Sequence, residues 1–219
     1  MKLLAVNTGL PSPLFDDRTG REVLSGIRKT TVTDPDVTVR SLNIDGDGQA
    51  DLNAHGGVDK AVYCYPHDHL PAWEAEIGYG GGIPAPFGEN LSVLGLIEDD
   101  IRIGDRWQWG EAVLEIAQPR WPCFKLGLHA GHRKLPALLI ASERSGWYCR
   151  VVTEGAAPTS GELTLAFRDQ EAPTVHETFR AAKGLVPDDR AAVIANHPAL
   201  AAKWRGMIEK RYALSDVTA

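Results

Sequence analysis

The run Pro119-Arg120-Trp121-Pro122-Cys123 sets one thiol directly behind a proline and three residues after a guanidinium. It follows a strand-like stretch, Val113-Leu114-Glu115-Ile116-Ala117. Proline fixes φ and has no N–H, so the segment can neither extend a central strand nor form the interior of a regular helix. What remains is a stiff, extended connector leaving a sheet, which holds Cys123 in a defined direction. A neighbouring guanidinium favours the thiolate, the form that binds metals and attacks electrophiles. Cysteine is also among the residue types most often buried, so an inert core thiol is the competing reading of this segment taken alone.

A second cluster is Gly48-Gln49-Ala50-Asp51-Leu52-Asn53-Ala54-His55-Gly56-Gly57-Val58-Asp59-Lys60, which feeds an apolar stretch at Ala61–Tyr65. Adjacent glycines let the backbone approach a ligand or take positive φ, and consecutive N–H groups can then cradle an anion. His55 can donate to a ligand oxygen or shuttle a proton; the alternative is a turn histidine bonded to backbone. Phe87-Gly88-Glu89-Asn90-Leu91 places Glu89 and Asn90 where they either hydrogen-bond a bound heterocycle or stitch two loops together. Ser25-Gly26-Ile27-Arg28-Lys29-Thr30 joins hydroxyls to two cations and suits phosphate contacts. Cys64, inside Val62-Tyr63-Cys64-Tyr65, and Cys149, behind Trp147-Tyr148, read as packing residues. A G-x-S-x-G elbow, a C-x-x-C pair, an H-E-x-x-H helix and a G-x-G-x-x-G fingerprint are all missing from the chain. That weakens lipase, thioredoxin, zinc and dinucleotide readings.

These residues need elements to hold them, and two regimes supply them. From residue 1 to 168, short apolar runs are separated by Gly, Pro, Asp and Asn, the signature of a mostly-β domain. Strands are predicted at Leu3–Asn7, Val37–Ile44, Ala61–Tyr65, Arg150–Thr153 and Glu162–Phe167. Ile101–Ile103, Trp107–Trp109 and Leu114–Ile116 alternate with period two and read as consecutive hairpin strands. Two helices interrupt, one from near Pro66 to Gly78 and one from about Arg133 to Ser145, closed by Gly146. So many short strands predict a closed or half-closed barrel, mostly β with interspersed helices. Residues 169–219 change pattern: Val175, Phe179 and Ala182 recur at helical spacing. Pro187-Asp188-Asp189 opens a second helix, and Leu200, Trp204, Met207, Ile208 and Tyr212 trace one face of a third. Short helices bury little alone, so this three-helix module is expected to dock on the barrel or on a partner subunit.

With 219 residues, 43% hydrophobic and 24% charged, the composition is that of a globular chain of one large domain, with or without a small appendage. No apolar run is long enough to span a bilayer, and the N-terminus is too soon polar for a secretory signal, so cytoplasm is the expected compartment. A net charge of −6 opposes sequence-independent binding to nucleic acid or anionic membrane. Three scattered cysteines do not make a disulfide framework or a four-cysteine iron–sulfur site.

Taken together, these segments resemble the MOSC-domain family, named for the C-terminal domain of molybdenum cofactor sulfurase, and within it the branch of 6-N-hydroxylaminopurine resistance proteins. The resemblance runs through Ser25-Gly26-Ile27 with Lys29, Gly48–Leu52, His55-Gly56-Gly57 with Asp59–Tyr63, and Tyr65-Pro66. It continues through Gly88–Leu91, Gly104-Asp105, Gln118-Pro119-Arg120 with Pro122-Cys123, and Gly146 with Tyr148 and Arg150-Val151. The helical tail resembles the three-helix module that follows the barrel in that branch. The resemblance implies a barrel that binds the pyranopterin molybdenum cofactor, with Cys123 as the protein ligand to molybdenum. It further implies two-electron reduction of N-hydroxylated compounds to N–H with release of water. Arg28, Lys29, Lys60, Asn90 and Arg120 are the residues expected to bind the cofactor, and His55 is expected to join Cys123 in catalysis. Electrons must then come from another protein, a flavin-containing reductase, because the chain has neither iron–sulfur cysteines nor a Rossmann fingerprint. A homodimer is one possible assembly. Two rivals stand beside this reading: a non-catalytic cofactor-binding or sulfur-carrier protein, and a metal-free hydrolase using Cys123 and His55.

Overall fold

Proline, glycine and short β-branched runs break the chain into many small elements, and the computed structural model describes residues 1–50 and 56–214. The first strands are β1 (Lys2–Thr8), β2 (Ser12–Asp16), β3 (Arg21–Ser25), β4 (Thr30–Thr31) and β5 (Asp36–Val39). β6 (Val62–Pro66) leads into α1 (Leu70–Ile77), followed by β7 (Leu91–Leu94), β8 (Arg106–Trp109) and β9 (Ala112–Pro119). Then come α2 (Phe124–His129) and α3 (Leu135–Ser142), and after them β10 (Trp147–Thr153), β11 (Gly155–Pro158), β12 (Gly161–Glu162) and β13 (Thr164–Phe167). The last helices are α4 (Val175–Lys183), α5 (Asp188–Ala195) and α6 (Ala202–Tyr212).

Nine strands form one sheet in the order β12-β1-β7-β6-β10-β9-β8-β13, with β4 added on β1. Its pairings are antiparallel except β6–β7, which is parallel. The two ends of the path, β12 and β13, are consecutive in the chain and separated by Leu163 alone, whose N–H donates to Met1 O at 2.9 Å. The sheet therefore curls until one bent strand joins its edges, the barrel-like form predicted from many short strands. β2 pairs with β3, and β5 with β11, as separate two-stranded ribbons.

Strand β6 shows how period two builds two cores at once. All five of its residues are buried. Val62 and Cys64 face the barrel interior with Leu91, Leu114, Ile116 and Trp147, whereas Tyr63 and Tyr65 face the layer formed by Trp73, Phe87, Leu126, Leu135 and Leu139. The barrel core is continuous with the C-terminal helices, because Phe179, Ile194, Trp204 and Ile208 belong to it. Helix α4 starts on a Thr174 cap whose Oγ1 accepts Glu177 N–H at 3.0 Å, and Gly184 closes it at φ 80°.

Some expected elements differ. Ile101–Ile103 is no hairpin strand: Arg102 N–H donates to Asp105 Oδ2 at 2.9 Å, Gly104 turns at φ 85°, and Arg102 makes only an isolated bridge to Thr174. The strand at Val37–Ile44 stops at Val39, and Ile44 folds back to bridge it. Helix α3 closes at Glu143, three residues before Gly146, since Glu143 takes φ 63° and accepts hydrogen bonds from His176, Arg180 and Lys183.

Candidate functional site

The connector expected from the two prolines is where β9 leaves the sheet. Its last ladder bond is Arg120 N–H to Gly146 O at 3.3 Å. Cys123 then sits extended (φ −124°, ψ 172°) at the N-cap of α2, and its carbonyl accepts Leu126 N–H at 3.1 Å. Helix α2 itself was not expected from the sequence. Cys123 is partly exposed and forms part of the wall of a cavity of about 100 Å³ within an open cleft of about 640 Å³. Ser25–Ile27, Lys29, Asp47–Ala50, Lys60, Tyr63, Gly88, Asn90, Arg120, Lys125 and Tyr148 complete the wall.

Arg120 fastens the floor. Its guanidinium is buried, donates to Phe87 O at 2.5 Å and lies 4.6 Å over the Tyr63 ring. Burial alone would favour loss of its proton, but Tyr63, Tyr148 and Cys123 nearby hold its pKa above the usual arginine value. Burial in turn pushes the Tyr63 and Tyr148 hydroxyls up, against the pull of Arg120, so both stay protonated. Tyr63 OH donates to Ser145 O at 2.9 Å.

On the facing wall, Lys29 is paired with Asp47, both side chains almost wholly buried. Burial lowers the Lys29 pKa and Asp47 opposes that shift. Asp47 also accepts Gly9 N–H at 3.0 Å and Asn90 Nδ2–H at 2.9 Å. Asn90 Oδ1 accepts Tyr63 N–H at 3.0 Å, so Asn90 lines the cleft while stitching its loops together. Glu89 is wholly a stitching residue: fully buried, it accepts from Phe87 N–H, Ser92 Oγ–H and His67. Lys125 reaches across to donate to Leu24 O at 3.0 Å, tying α2 to β3. Gln49 links Gly57 N–H (2.9 Å) to the carbonyl of Lys60 (3.3 Å).

Two glycines make this closeness possible. A Cβ on Gly26 would lie 2.4 Å from Gly48 O, and one on Gly88, at φ 74°, would lie 2.5 Å from Ile27 Cγ1. The three loops carrying Ser25–Lys29, Asp47–Ala50 and Gly88–Asn90 therefore meet through backbone.

Of the residues singled out from sequence, Cys123, Lys29, Lys60, Asn90 and Arg120 come together here. Arg28 does not: it is exposed and donates to Pro13 O at 3.1 Å. His55 lies outside the described residues. Sequence reasoning missed Lys125, Asp47, Tyr63 and Tyr148. Lys125, a cation two residues after the thiol, had a readable signal, and Tyr63 and Tyr148 lie within the segments that carry the family resemblance. Four cationic side chains and one carboxylate line the cleft among the described residues. Among the described residues, no group of three or more His, Cys, Asp or Glu could hold a metal ion. No helix among the described residues is long and apolar enough to cross a membrane.

Comparison with known proteins adds four findings. A family model described as MOSC domain matches residues 51–163. YflK of Bacillus subtilis (strain 168) is 36% identical over 213 residues, covering 95% of this chain and 93% of YflK. The crystal structure of YiiM from Geobacillus stearothermophilus superposes with a TM-score of 0.76 at 32% identity, covering 95% of this chain and 97% of that one. A protein of Gibberella moniliformis (strain M3125 / FGSC 7600) described as a reductase is 33% identical over 177 residues, which is 74% of this chain but 30% of that protein.

Proposed function

This chain belongs to the MOSC domain family, and from that premise we propose that it binds the pyranopterin molybdenum cofactor and reduces N-hydroxylated compounds such as N-hydroxylaminopurine bases. One observation carries the reading: a single partly exposed thiol, Cys123, stands on the wall of a cleft whose other walls carry Lys29, Lys60, Arg120 and Lys125. The residues fit the group. A thiolate is a suitable soft donor for a metal already held by two pterin sulfurs, and the chain offers no competing ligand cluster among its described residues. The cations and the glycine-built turns suit the phosphate of an anionic cofactor.

Bound there, the cofactor supplies two-electron oxygen-atom chemistry. The rest falls to the chain. The connector directs the Cys123 sulfur, and Arg120 keeps positive charge beside it. Lys29 Nζ holds a proton that burial makes easier to release, and it is available to the hydroxyl that departs as water. The balance is R–NHOH plus two electrons and two protons giving R–NH₂ and water, with the N–O bond broken. The electrons come from a separate flavin-containing reductase. The fungal relative described as a reductase supports a reductive role, the part of it similar to this chain being a minor fraction of its length.

The test is turnover of 6-N-hydroxylaminopurine by protein made in a host that synthesises the cofactor, with reduced viologen as donor. Adenine should form with viologen and not with NADPH alone, and Cys123→Ser should abolish it. Cofactor retention without turnover under any donor would instead favour a binding or carrier role.

A further inference from the structure

Between Arg120 and Cys123 the chain leaves the sheet ladder, and Pro122 has no N–H to anchor it. The side chain that fills this gap is Trp121. Its ring stacks on Phe179 of α4, with centroids 5.3 Å apart and planes 25° apart. It also meets Trp204 of α6 edge-on at 6.1 Å, and Phe179 and Trp204 pack on each other at 6.0 Å. Phe179 and Trp204 are buried in the common core, whereas Trp121 is 38% exposed. Ala201, immediately before α6, donates its N–H to Ala117 O at 3.0 Å, which fixes that helix to the same end of β9. Aromatic pairs in such geometries favour defined relative orientations rather than mere contact.

We propose that Trp121 is a positioning residue: through it the C-terminal helices set the direction of the Cys123 thiol. The inference rests on the reading that Cys123 serves the cleft, and it assigns the helical module a part in the site that none of its described side chains lines. Trp121 approaches the cleft from behind, leaving the cavity wall to Arg120, Cys123 and Lys125.

A nitroxide attached through a methanethiosulfonate to Cys123 of the cofactor-free protein reads this directly, because Cys64 and Cys149 are buried and stay unlabelled. The wild-type electron paramagnetic resonance spectrum should contain a motionally restricted component. Trp121→Ala should lose that component while circular dichroism stays unchanged, and Trp121→Phe, which keeps a stacking ring, should restore it. Should Trp121→Ala fail to fold, Trp121→Leu keeps apolar volume without the stacked plane and should show the same loss. An identical spectrum in the wild type and in a folded Ala or Leu variant overturns the proposal, as does a Phe variant as mobile as the Ala one. Full molybdenum content in Cys123→Ser would sink the ligand reading instead, and would leave the spectroscopic outcome standing.

Discussion

Cys123 stands partly exposed at the N-cap of α2, with the Arg120 guanidinium close enough to feel its charge. Cys64 and Cys149, on neighbouring strands β6 and β10, are each 1% exposed with sulfurs 3.8 Å apart. The functional group is the same; the surroundings differ in every physical respect. Burial, together with Cys64 beside it, pushes the Cys149 thiol well above its ordinary pKa, so it stays protonated. The difference teaches where chemistry resides in this fold. The barrel interior excludes charge and turns thiols into small apolar side chains. The cleft on the other face of that sheet, beside Tyr63 and Tyr148, gathers cations around the one thiol that an extended connector carries out of the sheet.

The largest expected effect separating the two regions is kinetic. Iodoacetamide at neutral pH should modify Cys123 roughly 10³-fold faster than Cys64 or Cys149, because buried thiols react only through openings that cost several kcal/mol. Mass-spectrometric mapping of the alkylated protein checks this, and comparable labelling of all three cysteines would erase the contrast. Next in size is the ion pair that shapes the cleft. Lys29→Ala leaves the Asp47 carboxylate buried without its cation and should cost about 3 kcal/mol in urea unfolding, while Lys29→Met with Asp47→Asn should cost less. A double variant no more stable than the single one would show that the pair's charge is immaterial. Smallest is the core side of the comparison: Cys149→Ala should lower stability by about 1 kcal/mol and leave turnover untouched. Lost turnover in that variant would place function in the barrel core.

The parts of this arrangement that were legible in the sequence are those governed by local chemistry. Two prolines with an arginine between them specify an extended connector ending at Cys123, and Gly78 marks the end of α1 with φ 63°. The alternation at Trp107–Trp109 and Leu114–Ile116 gives β8 and β9. What could not be read is what long-range partners decide. Glu143 ends α3 ahead of Gly146 because His176, Arg180 and Lys183 of α4 bind its carboxylate. Gly146 is needed for another reason: a Cβ there would lie 2.5 Å from Cys64 O on the adjacent strand. Ile101–Ile103 alternates like a strand, yet Asp105 captures its backbone and turns it. In the site, Lys29 and Arg28 are equivalent by sequence, and only Asp47, 18 residues away, separates the cleft-facing one from the exposed one. Asp47 carries no signal of its own, and Tyr148, though among the residues that carry the family resemblance, becomes a wall residue only when the loops and β10 are brought together.

The central claim is that Cys123 holds a molybdenum cofactor in this cleft. The most direct measurement is molybdenum content per chain, by inductively coupled plasma mass spectrometry, for the wild type and Cys123→Ser purified from a host that makes the cofactor. Near-stoichiometric metal in the wild type and its loss in the folded Ser variant is the predicted result. Equal molybdenum in both, or none in the wild type, would contradict the account.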